Sequence, residues 1–242
     1  MKQDHNKRHP ISPRKTPCND ISTAKTETLA SLIAEQALYQ PHNILVVGCG
    51  SGFEAGILAR KFDADTIGID LEEQFTFDHA SSAPAKLMKM NAQRLEFDDD
   101  RFDLVYSFHA LEHIEEPEIA LNQMARVLKP GGFFCIGTPN KSRLIGYIGA
   151  ETPLVNKIRW NWNDWCKRVT GQWDNALGAH AGFTVKELQK MCKAAFGDAH
   201  DISTDYYKAL YSSMIARRLF LSPFRHFIMP GIYIAGVGAA SG

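Results

Sequence analysis

Three sets of residues in this sequence have the types and spacing that chemistry requires. The first is Gly48-x-Gly50-x-Gly52, which follows the apolar run Ile44-Leu-Val-Val47. Glycine at alternate positions lets backbone turn sharply and approach a ligand with no Cβ in the way. The first amides of the helix expected next are unpaired and point at whatever occupies the turn. The second is Asp70, which closes Thr66-Ile-Gly-Ile about twenty residues beyond the glycines, where a carboxylate can accept from both hydroxyls of a ribose. Leu71 would then lie under the adenine. The third set is His109, His113 and His180, imidazoles of the kind that can take a proton from an acceptor group.

The spacing narrows the choice of cofactor. A dinucleotide fingerprint, G-x-G-x-x-G, would need glycine where Phe53 stands, and a bulky side chain there obstructs helix–strand packing and approach of a pyrophosphate. No Gly-Lys-Ser/Thr follows, so a P-loop is excluded. Two plainer readings stand beside these: a glycine turn with no ligand, and Asp70 as a helix cap. Asp70 at the end of an apolar strand favours ribose. For His113 the favoured reading is a buried, hydrogen-bonded residue at a helix start. His109 lies closer to where an acceptor must sit, and His180 belongs to a returning cover.

The elements that hold these residues follow from hydrophobic pattern. A helix over 20–39 ends at Pro41. Strands are expected at 44–48, 66–70, 86–90, 103–108 and 132–137, with helices at 54–62 and 116–128. Lys129-Pro-Gly-Gly132 marks the end of the second of these helices. Strand–helix alternation predicts an α/β domain, a mostly parallel sheet covered on both faces, with ligands at the carboxyl ends of its strands. Residues 143–180 hold Trp160, Trp162, Trp165 and Trp173 with no strand signal and read as an insertion over the strand ends, the tryptophans forming its core. Phe183-Thr-Val-Lys-Glu-Leu188 starts another helix, with Thr184 and Glu187 as a capping box. Strands near 199–205 and 231–237 complete the sheet. Between them the segment 206–229 is apolar and aromatic but carries Arg217, Arg218 and Arg225, too many charges for a membrane span. It reads as core or as a homodimer contact, with a membrane-surface helix as the alternative.

Lys plus Arg equals Asp plus Glu at 27 each, so no overall field favours nucleic acid or an anionic membrane. Five scattered cysteines without a C-x-x-C pair indicate a reduced, cytoplasmic setting and no zinc site. Residues 1–19 are expected to form a flexible tail with no signal-peptide core, and 20–242 the domain.

A further group of motifs carries a family resemblance. The chain has Asn91-Ala92, Leu95, Phe97, Phe102-Asp103, Leu111-Glu-His113, Leu128-Lys-Pro-Gly-Gly132 and Thr138-Pro-Asn140, in that order. In this it resembles the class I S-adenosylmethionine-dependent methyltransferases of the small-molecule group that includes the ubiquinone and menaquinone methyltransferases. The match is dense over about residues 40–140, with a weaker echo from His180 to Phe196. The resemblance implies a Rossmann-like, doubly wound, seven-stranded sheet with a helical cover inserted after the fifth strand. It also implies S-adenosyl-L-methionine as cofactor and a small-molecule acceptor, with lipidic and quinone-like molecules among the candidates. Gly48, Gly50 and Gly52 would line its methionine and ribose part, Asp70 the ribose, Asn91 and Ala92 the adenine edge, and Ser107 with Phe108 the sulfonium end. The family usually has acids where Val46 and Asn91 stand. Asn91 still offers a side-chain oxygen, and Glu54 at the helix start would be the acid to take over for Val46.

Methyl transfer needs a base only where the acceptor must lose a proton, and His109 and His113 are the candidates. Other readings are a tRNA-modifying enzyme of the same group, with Lys157, Arg159, Lys167 and Arg168 as its basic patch, and a cofactor-binding subunit without catalysis. An amino-methylating DNA enzyme is disfavoured, because Ser107-Phe-His-Ala replaces its Asn/Asp-Pro-Pro-aromatic loop.

Overall fold

Successive residues of β1 (Asn43–Val47) face opposite ways, and that alternation organises the molecule. Ile44 and Val46 pack with Leu104, Tyr106, Phe133, Cys135 and Tyr233 on one face of a sheet. Leu45 and Val47 pack with Ile69, Val105, Phe134, Ile136 and Ile234 on the other. A strand buried on both sides has to be apolar throughout. The computed structural model describes residues 20–37, 39–73, 75, 85–147, 152–177 and 179–239. The tail expected over 1–19 lies outside the described residues.

In chain order the elements are α1 (Asp20–Gln36), β1, α2 (Phe53–Phe62), β2 (Asp65–Asp70), β3 (Lys86–Lys89), β4 (Phe102–Phe108), α3 (Pro117–Val127) and β5 (Leu128–Pro139). They continue with α4 (Leu154–Val169), α5 (Val185–Phe196), β6 (His200–Asp201), α6 (Ser203–Leu210), α7 (Met214–Leu221), α8 (Arg225–Ile228) and β7 (Gly231–Val237). The sheet has seven strands in the order β3-β2-β1-β4-β5-β7-β6. Strands β1 to β5 pair in parallel, and β7 runs antiparallel between β5 and β6. Helices α1, α2 and α6 cover the first face, and α3 and α5 the second. Strand order reverses at β1, so the loops after β1 and β4 diverge there and open a crevice.

Three expectations change. The strand near 199–205 shrinks to β6, because the carboxylate of Asp201 accepts from Ser203 N–H and the Ser203 hydroxyl accepts from Tyr233 N–H, both at 2.9 Å. These bonds end the strand and start α6, which buries Tyr206 and Tyr207. β5 starts four residues earlier than the expected 132, since Leu128 already pairs with Phe102 before the register shifts. The tryptophans do not form a core: Trp160, Trp162 and Trp165 are exposed and Trp173 alone of the four is buried. Trp173 clusters with Ala179 and Ala181 and is packed by cations, the Arg143 and Arg168 guanidinium groups lying 5.0 and 4.2 Å from its ring. Buried Asp164 pairs with Arg143 at 3.5 Å.

Candidate active site

The loop after β1 is fixed by its own amides. Gly48 and Cys49 N–H both donate to Ile69 O, at 2.8 and 2.9 Å. Gly50 N–H donates to Asp70 Oδ2 at 2.8 Å, and Glu72 N–H to Oδ1 at 3.1 Å. Asp70 therefore joins the glycine turn to the end of β2. Gly48 has φ of 72°, and a Cβ there would stand 2.1 Å from Ala110 Cβ. At Gly52, φ is 89° and a Cβ would meet Leu87 at 2.3 Å. The turn thus needs glycine for backbone handedness and for close packing against the loop after β4 and the side chain of Leu87 in β3.

These loops enclose a cavity of about 610 Å³ lined by Gly48, Gly50, Asp70, Leu71, Asn91, Ala92, His109 and His113, together with Met90, Gln93 and Ile114. That is the size of a small-molecule cofactor site, ~300–1,000 Å³. Leu71 is 63% exposed, an apolar platform beside Asp70. The Asn91 side-chain oxygen accepts from Gln93 N–H at 2.9 Å, a local turn that fixes its amide.

Four other residues singled out from the sequence stand elsewhere. Gly52 turns towards Leu87. Ser107 is buried, and among the described residues its hydroxyl has no partner. Phe108 faces a neighbouring recess. Glu54, in the first turn of α2, has its carboxyl pushed up to about 8 by burial. Its charge would be felt by Cys49, Tyr106, Cys135 and Tyr206. Val46, the strand position without an acid, is fully buried among apolar residues.

The recess holds about 180 Å³ and is walled by Phe108, His109, Tyr147, Tyr206, Tyr211 and Tyr233. Burial pushes the phenols of Tyr206 and Tyr233 up, which keeps these two groups neutral, and Lys25 also lines the recess. His109 borders both the recess and the larger cavity. It sits at φ 52°, with its N–H donating to Gly137 O at 2.8 Å and its ring 4.2 Å from that of Phe108. Backbone in this region is uncommon for a residue with a side chain, so the turn from β4 has to hold it there.

Glu112 was not assigned a part in the sequence reading. Its side chain is 2% exposed, with Oε1 3.4 Å from His109 Nδ1 and 3.9 Å from His113 Nε2. Among the described residues Oε2 has no partner. The motif Leu111-Glu-His113 was visible, but burial of its glutamate depends on the 3₁₀ turn that only the fold supplies. His113 itself is 53% exposed at its side chain, which corrects the buried position expected for it; its ring lies 4.7 Å from that of His180. The turn points the glutamate inward and leaves the histidine outside. Among the described residues no cluster of His, Cys, Asp or Glu is placed to hold a metal ion.

Comparison with known proteins adds to this geometry. A family described as a methyltransferase domain matches residues 45–136. A ubiquinone biosynthesis O-methyltransferase of Alkalilimnicola ehrlichii is 31% identical over 193 residues, 73% of this chain and 76% of that protein. Phosphoethanolamine N-methyltransferase 3 of Arabidopsis thaliana is 30% identical over 117 residues, 46% of this chain and 24% of that one. In fold, the plantazolicin methyltransferase BpumL, solved with a desmethyl analogue and S-adenosylhomocysteine, superposes with a TM-score of 0.60. That superposition covers 93% of this chain and 87% of the other at 15% identity.

Proposed function

Because the chain belongs to the class I S-adenosylmethionine-dependent methyltransferases, we propose that it methylates a hydroxyl of a small aromatic molecule held in the tyrosine-walled recess. The observation that carries this reading is the place of His109, on the boundary between the two cavities. A donor on one side and an acceptor on the other would meet there.

The residues of the larger cavity fit the cofactor. The open space at Gly50 and the carboxylate of Asp70 suit a ribose, and Leu71 and Ala92 suit the two faces of an adenine. In this reading Gly48 and Gly52 hold the turn in shape, Asn91 borders the adenine edge, and Ser107 and Phe108 close the floor between cavity and recess. Glu54 takes the place of the acid missing at Val46 and answers the methionyl ammonium. When bound, S-adenosylmethionine supplies a methyl group already activated for displacement.

The protein then has to position the acceptor, exclude water and remove one proton. An acceptor hydroxyl in the recess would give its proton to the imidazole of His109. Glu112 stands behind Nδ1, where its carboxylate would orient the ring and stabilise the imidazolium. An apolar cavity of about 150 Å³ accepts benzene, so the recess, at about 180 Å³, suits one substituted ring. The similarity to a ubiquinone biosynthesis O-methyltransferase supports an oxygen acceptor on such a ring.

Calorimetry with S-adenosylmethionine and S-adenosylhomocysteine, followed by methyl transfer to a panel of catechols and other phenols, tests this. Binding of both and methylation of a phenol is the expected result. Binding of neither would overturn the assignment of the cavity. Binding without transfer to any phenol would remove the acceptor class.

A further inference from the structure

The apolar surface lies outside both cavities. Leu154, Ile158, Trp162 and Trp165 recur every three or four residues along α4, one stripe of the helix. With Leu144 and Ile145 they line an open groove of about 590 Å³. Trp162 is 73% exposed and Val169 84%. The adjoining face is of the same kind. Leu144 N–H donates to Phe227 O at 2.7 Å, which ties α8 to the rim of the groove. Met214, Leu219, Leu221, Phe224 and Phe227 are all exposed on the α7–α8 side.

Charge on these elements has one sign. Residues 206–229 contain no Asp or Glu, while Arg217 and Arg218 are exposed. In α4 the lone acid, Asp164, is buried against Arg143, leaving Lys157, Arg159 and Lys167 about the stripe. The chain as a whole is neutral, so this end is locally cationic.

We propose that α4 and α7–α8 together form a docking face for an anionic lipid surface. Tryptophan and aliphatic side chains enter the headgroup boundary while arginine and lysine meet lipid phosphates, the pattern of an interfacial helix. A second copy of the chain is a poorer occupant, because a two-fold contact would press the same cationic patch against itself. Among the described residues no helix is long and apolar enough to cross a membrane, so the contact lies at the surface. Tyr147 lines both this groove and the recess beside His109. If the methyltransferase reading of that recess holds, an apolar acceptor drawn from the lipid has a route along Tyr147.

Vesicle co-sedimentation tests the docking. The chain should sediment with phosphatidylcholine vesicles containing ~30% phosphatidylglycerol about tenfold more strongly than with phosphatidylcholine alone. The double variant Ile158→Glu, Trp162→Glu should lose this binding, and Arg217→Glu, Arg218→Glu should weaken it and reduce its salt dependence. Both should keep wild-type circular dichroism and thermal melting, which excludes misfolding as the cause. Failure of the wild-type chain to bind the anionic vesicles would overturn the proposal. So would unchanged binding by the first variant, or a dimer in light scattering that the first variant dissolves. Vesicle binding by a chain that did not take up S-adenosylmethionine would support the docking and sink only the reading of the cavities.

Discussion

The loops after β1, β2 and β3 and the cover over residues 143–180 and 206–229 treat their surfaces in opposite ways. In the loops, backbone amides are answered within the chain: Gly48, Cys49, Gly50, Glu72 and Gln93 all donate their N–H groups to named oxygens. What remains open is a void with a rigid border. In the cover, large apolar side chains such as Leu154, Trp162, Met214 and Phe224 stand in solvent. A region shaped around one small molecule can complete itself before the molecule arrives. A region whose partner is a surface leaves its apolar area unmatched until contact.

The sharpest way to break this comparison is to disturb the rigid border. Gly48→Val should abolish S-adenosylmethionine binding in calorimetry, a loss of at least ~100-fold, because its Cβ would meet Ala110 at 2.1 Å in a backbone of φ 72°. The double variant at Ile158 and Trp162 should bind the same cofactor as the wild type does. A Gly48→Val protein that binds normally would show that the loop adapts and that the contrast is false.

His109→Ala tests the boundary. Turnover should fall by ~10²–10⁴-fold, the usual contribution of a positioned base, with cofactor affinity changed by less than about threefold. Equal losses in both would make His109 a wall of the cavity and nothing more.

Glu54→Gln tests whether an acid outside the cavity lining still serves it. In the folded chain the carboxyl titrates at about 8 against an ordinary 4.5, so the native state holds more protons across that window. Stability should therefore fall as pH rises from 4.5 to about 8, and the glutamine variant should lose that fall in chemical denaturation. If the ionised carboxylate answers the ammonium of the cofactor, wild-type affinity should rise over the same upper range, by at most ~10-fold per pH unit. The variant should show a flat profile.

The smallest effect belongs to the helix that returns from the cover. Thr184 accepts from Glu187 N–H at 3.2 Å and Glu187 accepts from Thr184 N–H at 2.8 Å. Thr184→Ala should cost ~1 kcal/mol in denaturant unfolding and leave cofactor binding unchanged.

The same contrast decides how much was legible in the sequence. Apolar runs such as Ile44–Val47 and Leu104–Tyr106 declare buried strands, and the glycines, Asp70 and Asn91 announce a nucleotide-like cavity at their ends. The stretch 199–205 misled by reading as one strand, and only the Ser203–Tyr233 bond ends that strand and starts a helix there. Glu112 looked like one acid among many, because its burial is a product of a three-residue turn. The tryptophans of α4 had a helical spacing, but spacing cannot say whether a stripe meets the domain's own interior or something beyond it. That depends on contacts far apart in the chain, here the cations packed over Trp173.

Strand β7 has one more consequence. Among the described strands it is the last in chain order, yet it belongs inside the sheet, between β5 and β6. Every residue lining the larger cavity has been synthesised by position 115, whereas the recess needs Tyr206 and then Tyr233. A growing chain can therefore assemble its donor side while Phe133–Pro139 of β5 waits with an open edge. Such an edge invites pairing with other chains. The interval before β7 arrives is when this protein would most need a chaperone.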